Sequence, residues 1–104
     1  MSAVIIFITT SSEDEAQKLS DILIEKRLVA CVNIIPKVNS IFHWQGSVSH
    51  ETEALMIAKS IKKQMQKIIA TVKQNHSYEV PEIIALPIIE GSEDYLNWIN
   101  DSVE

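Results

Sequence analysis

The sequence predicts an α+β fold in which one antiparallel β-sheet carries its two main helices on the same face. Three observations lead to this prediction. The predicted elements follow the order βαββαβα, their strands are rich in β-branched residues, and only two glycines and three prolines interrupt 104 residues. So few turn-forming residues imply long elements and short connections. Two βαβ crossovers around a hairpin give a split-βαβ, ferredoxin-like sandwich with an extra C-terminal helix, and residues 1–104 form a single domain.

The first strand and helix are marked by an apolar run followed by a helix-start signal. Ala3–Thr9 is a continuous run of β-branched and aromatic residues, which is typical of a strand buried on both faces. Ser12 and Glu15 have the spacing of a capping box, in which the hydroxyl accepts from a first-turn amide and the carboxylate reaches back. Apolar residues at helical spacing then predict a helix from about Ser12 to Arg27.

The middle of the chain predicts a long β-hairpin. Val29–Trp44 and Val48–Lys59 are rich in β-branched residues, and Gln45 and Gly46 between them supply turn chemistry. Pro36 interrupts the first of these strands and has no amide hydrogen for the ladder. We therefore expect a bend at Pro36.

The second half predicts a helix, an edge strand and a short last helix. A helix over about Ser60–Gln74 is indicated by apolar residues at i, i+4, i+7, i+8 and i+11, namely Ile61, Met65, Ile68, Ile69 and Val72. Glu82–Ile89 reads as a fourth strand, and Pro87 within it favours an edge position. Gly91 and Ser92 then open the last helix, whose apolar side carries Tyr95, Leu96, Ile99 and Val103.

This arrangement leaves one face of the sheet without helices. Apolar and polar residues do not alternate in three of the strands, Val4–Ile8, Ala54–Ala58 and Ile83–Ile89. The second face of these strands must therefore also be shielded from water. The apolar surface would reach several hundred Å², about the largest patch that a monomer usually tolerates. We expect the chain to form a homo-oligomer through its sheets, with the hairpin pairing to a neighbour's edge. The alternative is that the short last helix covers the open face.

Composition and charge disfavour several classes of function. The net charge is −5, and the lysines follow one helix rather than a groove, so we do not expect nucleic-acid binding. The first apolar run is too short for a signal peptide or a membrane span, which favours the cytoplasm and no membrane. Cys31 is the single cysteine, so no internal disulfide is expected. The sequence contains no recognisable pairing of a nucleophile with a base and no phosphate-binding glycine loop, so we do not expect an enzyme.

Five segments resemble one known family. They are VIIFITTSSEDEA (Val4–Ala16), ACVNIIP (Ala30–Pro36), SIFHWQG (Ser40–Gly46), SYEVPEIIALP (Ser77–Pro87) and GSEDYLNWI (Gly91–Ile99). In order and spacing they resemble the CutA divalent-cation-tolerance proteins over essentially the whole chain. The resemblance implies a ferredoxin-like subunit assembled as a homotrimer through its sheets, with PII-like architecture. It also implies a link to tolerance of copper and other divalent metals.

The resemblance suggests metal ligands, which this sequence keeps only in part. In copper-linked relatives the candidate ligands are paired histidines before the tyrosine and a cysteine ending the first strand. Here those positions hold Asn75, His76 and Ile8. Cys31 is the softest potential metal ligand in the chain, although a lone cysteine in a strand is usually a core residue. For His76, the alternative to metal binding is a structural role at the end of a helix, where the helix dipole favours it. We expect weak copper binding, with His76 and Cys31 as the candidate metal ligands.

The resemblance also implies a cleft between subunits. It places near that cleft Trp44, Lys59, Tyr78, Glu79 and Pro81. Two aromatic rings with a lysine suit a small anionic ligand, or else simply pack at the interface. Three functions follow: a trimeric metal-tolerance protein that binds copper, a PII-like small-ligand sensor, and a scaffold trimer without a direct metal role.

Three further polar residues have a plainer interpretation. His50, Glu51 and Glu53 fall on the second strand of the hairpin, where neighbouring side chains point to opposite faces. We expect them on a solvated edge rather than in a metal site. His43 is likewise expected on the surface or in an interface.

Overall fold

The computed structural model describes residues 2–104 and confirms the predicted α+β fold. The four strands form one sheet in the order β2-β3-β1-β4, in which every neighbouring pair is antiparallel. A short 3₁₀ turn, Lys62–Gln64, precedes the second helix. The elements are β1 (Ala3–Thr10), α1 (Glu13–Glu25), β2 (Cys31–Trp44), β3 (Ser47–Ile61), α2 (Met65–Asn75), β4 (Ile83–Pro87) and α3 (Glu93–Ser102).

Both main helices pack on the same face of the sheet, as the element order predicts. Their apolar stripes meet the inward residues of β1 and β3 in one core cluster. That cluster includes Val4, Ile6, Ile8, Ala16, Leu19, Leu23, Ala54, Met56, Ala58, Ile68 and Val72. The third helix lies at one end of the sheet, where Ile99 and Val103 pack with Ala3 and Ile61. No helix within residues 2–104 is long and apolar enough to cross a membrane.

The junction between β3 and α2 differs from the prediction. The periodicity places Ile61 in the helix, but Ile61 is the last residue of β3 and pairs with Ala3. Ser60 is also in the strand, where its hydroxyl donates to the carbonyl of Leu28 at 2.6 Å. Side-chain spacing alone cannot reveal this long-range bond, so the helix was predicted to begin too early.

The ends of α1 show one expected and one unexpected feature. Ser12 caps the helix by accepting from the Glu15 amide at 3.1 Å, as predicted. The Glu15 carboxylate, however, accepts from the amide of Ser11 rather than from that of the capping residue. At the other end Arg27 has φ 56°, and its amide donates to the carbonyl of Ile24. This is the left-handed position of a Schellman motif, which glycine usually occupies.

The hairpin of β2 and β3 extends well beyond the rest of the sheet. The register shifts between Ile35 and Val38, which confirms the bend expected at Pro36. Beyond this point the two strands pair only with each other, because β1 ends at Thr10 opposite Ala54. We call this two-stranded extension, residues 38–53, the arm. It accounts for the elongated shape of the chain, 44 × 26 × 22 Å.

The face of the sheet opposite the helices remains largely uncovered in a single chain. The register places on this face Ile5, Phe7, Ile35, Leu55, Ile57, Ile84 and Leu86, which we call the open face. Ile84 and Leu86 are each 54% exposed and Ile35 is 41% exposed. The third helix touches only one end of this face, where the Tyr95 hydroxyl lies 3.7 Å from the Cys31 sulfur. Coverage of the open face by the last helix is therefore not what the structure shows.

Candidate functional site

The segment between α2 and β4, residues 76–82, carries four of the seven predicted site residues. A buried carboxylate holds this segment against the sheet. The hydroxyl of Tyr78 donates to Oε2 of Glu53 at 2.7 Å. Glu53 is only 6% exposed, so it is not the solvated residue that the sequence suggested. A buried carboxylate requires a hydrogen-bond donor. The phenol of Tyr78 supplies it and is thereby fixed in place.

A second carboxylate, that of Glu15, holds the same segment from the helix side. Its Oε1 accepts from the amide of Ser11 at 3.1 Å, the hydroxyl of Ser11 at 2.9 Å and the hydroxyl of Ser77 at 3.0 Å. Its Oε2 accepts from the amide of Ser77 at 2.7 Å. Burial alone would raise the pKa of Glu15, but the bonds from Ser77 and Ser11 outweigh it and lower this pKa overall. The ionised carboxylate therefore ties the start of α1 to the segment that follows α2.

His76 lies between these two carboxylates with both ring nitrogens engaged. Its Nε2 donates to the carbonyl of Thr9 at 2.8 Å, and its Nδ1 accepts from the amide of Tyr78 at 3.0 Å. This bonding pattern fixes the tautomer, and the side chain is fully buried. Placed in this way, His76 has no lone pair left for a metal ion. Its role in the single chain is to position Tyr78.

Cys31, the other predicted metal ligand, lies in a different part of the molecule. It is half-buried on the same side of the sheet as the open face, and it pairs across the strands with Lys59. Lys59 in turn pairs with Ile5, whereas His76 contacts Thr9, four residues further along β1, or about 13 Å. One chain therefore cannot bring the two ligands to a single ion. Among residues 2–104, no three His, Cys, Asp or Glu side chains are grouped so as to hold a metal.

The predicted ligand residues are also only partly brought together. Tyr78, Glu79 and Pro81 share one segment, but Trp44 is at the tip of the arm and pairs with Ser47. The ammonium group of Lys59 donates to the side-chain oxygen of Asn33. Along β3, Glu53 lies six residues from both Ser47 and Lys59, which corresponds to about 20 Å in each direction. Trp44, Lys59 and Tyr78 cannot line one pocket within a single chain.

The Tyr78 end of the sheet is acidic. Burial raises the pKa of Tyr78 above its ordinary value, and the hydrogen bond to Glu53 and the nearby carboxylates add to this effect. Burial, together with the charge of Glu53, also raises the pKa of Glu82. Sequence reasoning missed Glu53, although a carboxylate directly before the apolar run Ala54–Ala58 is a signal that can be recognised.

Comparisons with known proteins agree with the fold and the residue pattern. Residues 4–102 match the family described as CutA1 divalent ion tolerance protein. The divalent-cation tolerance protein CutA of Thermus thermophilus is 43% identical over 98 residues, which are 94% of this chain and 95% of that protein. The CutA protein of Pectobacterium atrosepticum is 38% identical over 97% of this chain and 92% of its own length. The chloroplastic CutA of Arabidopsis thaliana is 36% identical over 96% of this chain, which spans only 55% of that relative.

Solved structures lead to the same assignment. The Thermus thermophilus divalent cation tolerance protein superposes with a TM-score of 0.96 at 41% identity, covering 98% of this chain and 99% of that chain. The periplasmic divalent cation tolerance protein CutA of Archaeoglobus fulgidus superposes with a TM-score of 0.95 at 39% identity, with the same coverage. On its sequence, its fold and the arrangement of its strands, the chain belongs to the CutA divalent-cation-tolerance family.

Proposed function

We propose that this chain acts as a homotrimeric divalent-cation-tolerance protein whose subunits join through their open faces. The observation that carries the proposal is the apolar open face, on which Ile35, Ile84 and Leu86 remain substantially exposed. Soluble monomers rarely leave such a contiguous patch in water. Burial of this surface against other copies is favourable by about 25 cal/mol of free energy for each Å² removed from water.

The arm supports the same proposal. Four of its large apolar residues are exposed, namely Ile41, Phe42, Trp44 and Val48. A two-stranded ribbon that projects from the sheet has unpaired backbone groups along both edges, and a neighbouring strand can pair with them. Each subunit would receive an arm from one neighbour and extend its own to the next. Such a head-to-tail arrangement closes into a ring of three when successive subunits are related by a three-fold axis.

Assembly also offers a way to complete the ligand cleft. In the proposed assembly, the arm of one copy would bring Trp44 toward Lys59 on the body of another copy. We propose that the cleft accepts a small anionic ligand, because Lys59 supplies a cation and Trp44 an aromatic surface. This sensor activity is the second candidate function. It is favoured at the Lys59 end of the sheet, where the side-chain oxygen of Asn33 holds the ammonium group, because the acidic Tyr78 end would repel an anion. A thermal-shift screen of nucleotides and small anions tests it, since a bound ligand stabilises the trimer by mass action.

The metal link requires a different arrangement from the one that the sequence suggested. Residues 2–104 of one chain group no three such donors, so we propose that copper(II) binds weakly at contacts between subunits, with Cys31 as a donor. His76 is not included among the ligands, because both of its ring nitrogens are already bonded. Thiolate sulfur suits copper(I), and it suits copper(II) when an imidazole assists, which a neighbouring subunit would have to supply.

Assembly is tested by sedimentation of the wild type, Leu86→Glu and Ala85→Glu. We expect the wild type to sediment as three chains and Leu86→Glu as one, because the new carboxylate would be buried in the interface. Ala85 is the adjacent exposed residue on the other face of β4, so Ala85→Glu should remain trimeric. A folded wild-type monomer in dilute solution would refute the proposed assembly.

Copper binding is tested by calorimetric titration in glycine buffer, which sets the free copper(II) concentration. Cys31→Ser should weaken binding, whereas His76→Ala should retain the binding heat as long as the variant remains assembled. Unchanged heats in both variants would exclude this site and support the scaffold function. A loss confined to His76→Ala would show that the histidine leaves its present bonds to bind the metal.

A further inference from the structure

The two helices on the covered face of the sheet carry opposite charge. Within Glu13–Glu25 there are five acidic residues and one lysine. Within Lys62–Asn75 there are four lysines and no acidic residue. The charges are therefore about −4 on α1 and about +4 on the 3₁₀ turn with α2. Most of these side chains are exposed, and they point away from the core.

These opposite charges are not neutralised within the chain. In the region from residue 2 to residue 104, no lysine or arginine nitrogen lies within 4.0 Å of a carboxylate oxygen. The one histidine contact, from Nδ1 of His76 to Oε2 of Glu15 at 3.8 Å, involves a neutral ring whose Nδ1 already accepts from the amide of Tyr78. Adjacent helices of opposite sign thus leave their lysines and carboxylates unpaired. Ile24 on α1 adds an apolar side chain that is 42% exposed. The helical layer therefore has the charge and part of the apolar surface of a docking site.

The topology makes this layer self-complementary. The first helix runs from the Thr10 end of the sheet to the Ala3 end, and α2 runs in the opposite direction. A two-fold axis parallel to the helices therefore places α1 of each copy over α2 of the other, which gives two equivalent contacts. Asp21 and Glu25 then face the end of α2 that carries Lys63 and Lys67. The first turn of α1 faces the end with Lys73.

We propose that a second copy docks on this helical layer, with the acidic α1 of each copy against the basic α2 of the other. A partner of one charge sign would be attracted by one helix and repelled by the neighbouring helix. A second copy presents charges opposite to those of both helices. The net charge of −5 opposes approach. Salt screens that long-range repulsion beyond about 8 Å at physiological ionic strength, but it weakens close pairs less. Because exposed ion pairs contribute only about 0.2–1 kcal/mol each, we expect weak, salt-dependent association. This association of helical layers would join two of the proposed trimers, but it would also form between single chains.

The test is sedimentation velocity at high protein concentration in about 50 mM and about 500 mM sodium chloride. We expect the wild type to show a species of twice the basal mass at low salt, and to lose it at high salt. Lys67→Glu should weaken this doubling about tenfold, because the two-fold axis makes each substitution act twice. Lys37→Glu changes the net charge equally but lies on β2 outside the layer, so it should leave the doubling intact.

A charge swap provides the decisive control. Asp21→Lys should also weaken self-association, and an equimolar mixture with Lys67→Glu should recover part of it. No doubling at low salt, or doubling that survives both high salt and Lys67→Glu, would overturn the proposal. Binding of polyglutamate to the wild type without doubling would assign the layer to an acidic partner instead. A basal species of one chain rather than three would refute the trimer but leave this test readable.

Discussion

Two carboxylates, those of Glu15 and Glu53, fix the segment after α2 from opposite sides. Glu15 accepts the amide and hydroxyl of Ser77, and Glu53 accepts the hydroxyl of Tyr78. His76 lies between them and bonds to the carbonyl of Thr9. This segment carries the proposed ligand residues, so their positions depend on groups that are distant in sequence.

Glu15→Gln tests the bonds on the helix side. The amide keeps one acceptor oxygen, so we expect unfolding to become easier by about 1–2 kcal/mol at neutral pH, as for hydrogen bonds to charged groups. Because folding lowers the pKa of Glu15, its contribution is full at neutral pH and is lost as the pH falls through the folded value. Urea unfolding at several pH values measures this. Glu13→Gln, in the same helical turn, is the control. A deficit that is constant down to strongly acidic pH would contradict the prediction.

Tyr78→Phe tests the bond on the sheet side. Removing the hydroxyl leaves the buried Glu53 carboxylate without this donor, which should cost about 1–3 kcal/mol of unfolding free energy. Since folding raises the pKa of Tyr78, the wild type should also lose stability as the pH rises above about 10, where the unfolded tyrosine ionises. Tyr78→Phe should lose less stability over that range. Tyr95→Phe removes an exposed hydroxyl and should cost less at neutral pH. Equal costs for the two variants would argue against the Glu53 bond.

At the scale of elements, the end of α1 offers a stabilising substitution. Arg27 has φ 56°, a conformation that costs an L-residue roughly 1 kcal/mol, whereas Lys26 next to it has φ −79°. We expect Arg27→Gly to raise the free energy of unfolding by about 0.5–1 kcal/mol. Lys26→Gly should lower it instead. Thermal or urea unfolding of the two variants decides, and a destabilised Arg27→Gly would contradict the Schellman assignment.

Sequence patterns predicted the elements better than their joints. Helical periodicity and apolar runs gave the three helices and four strands in order, and Pro36 correctly marked the bend. The start of α2 was wrong because Ile61 pairs with Ala3, a contact between residues far apart in the chain. Nothing in the sequence indicates the positive φ of Arg27, since no glycine follows the helix.

The candidate site was only half predictable for a related physical reason. Resemblance to a family identified the Tyr78 segment, but the carboxylates that hold it come from other elements. Glu15 already had a local interpretation as a capping residue, and 62 positions separate it from Ser77. His76 was predicted as a ligand because residue type does not reveal burial or hydrogen bonding. Only the folded contacts show that both of its nitrogens are occupied.

At the scale of the whole molecule, the open face predicts that stability depends on concentration. Subunits that bury Ile84 and Leu86 against each other should unfold at a higher temperature as protein concentration increases, because assembly is linked to folding. Leu86→Glu should unfold at a lower temperature that does not change with concentration. Scanning calorimetry over a hundredfold range of concentration measures both. A wild-type midpoint that is independent of concentration would count against a reversible trimer.

The arm has one practical consequence for following assembly. The two tryptophans of the chain are Trp44 at the arm tip and Trp98 on α3, which are 45% and 44% exposed in the single chain. In a Trp98→Phe variant, Trp44 is the sole indole fluorophore, and its emission reports the polarity around the tip of the arm. During refolding from denaturant, a blue-shift phase whose rate increases with protein concentration would then give the rate at which each arm meets the proposed neighbour, without any added dye.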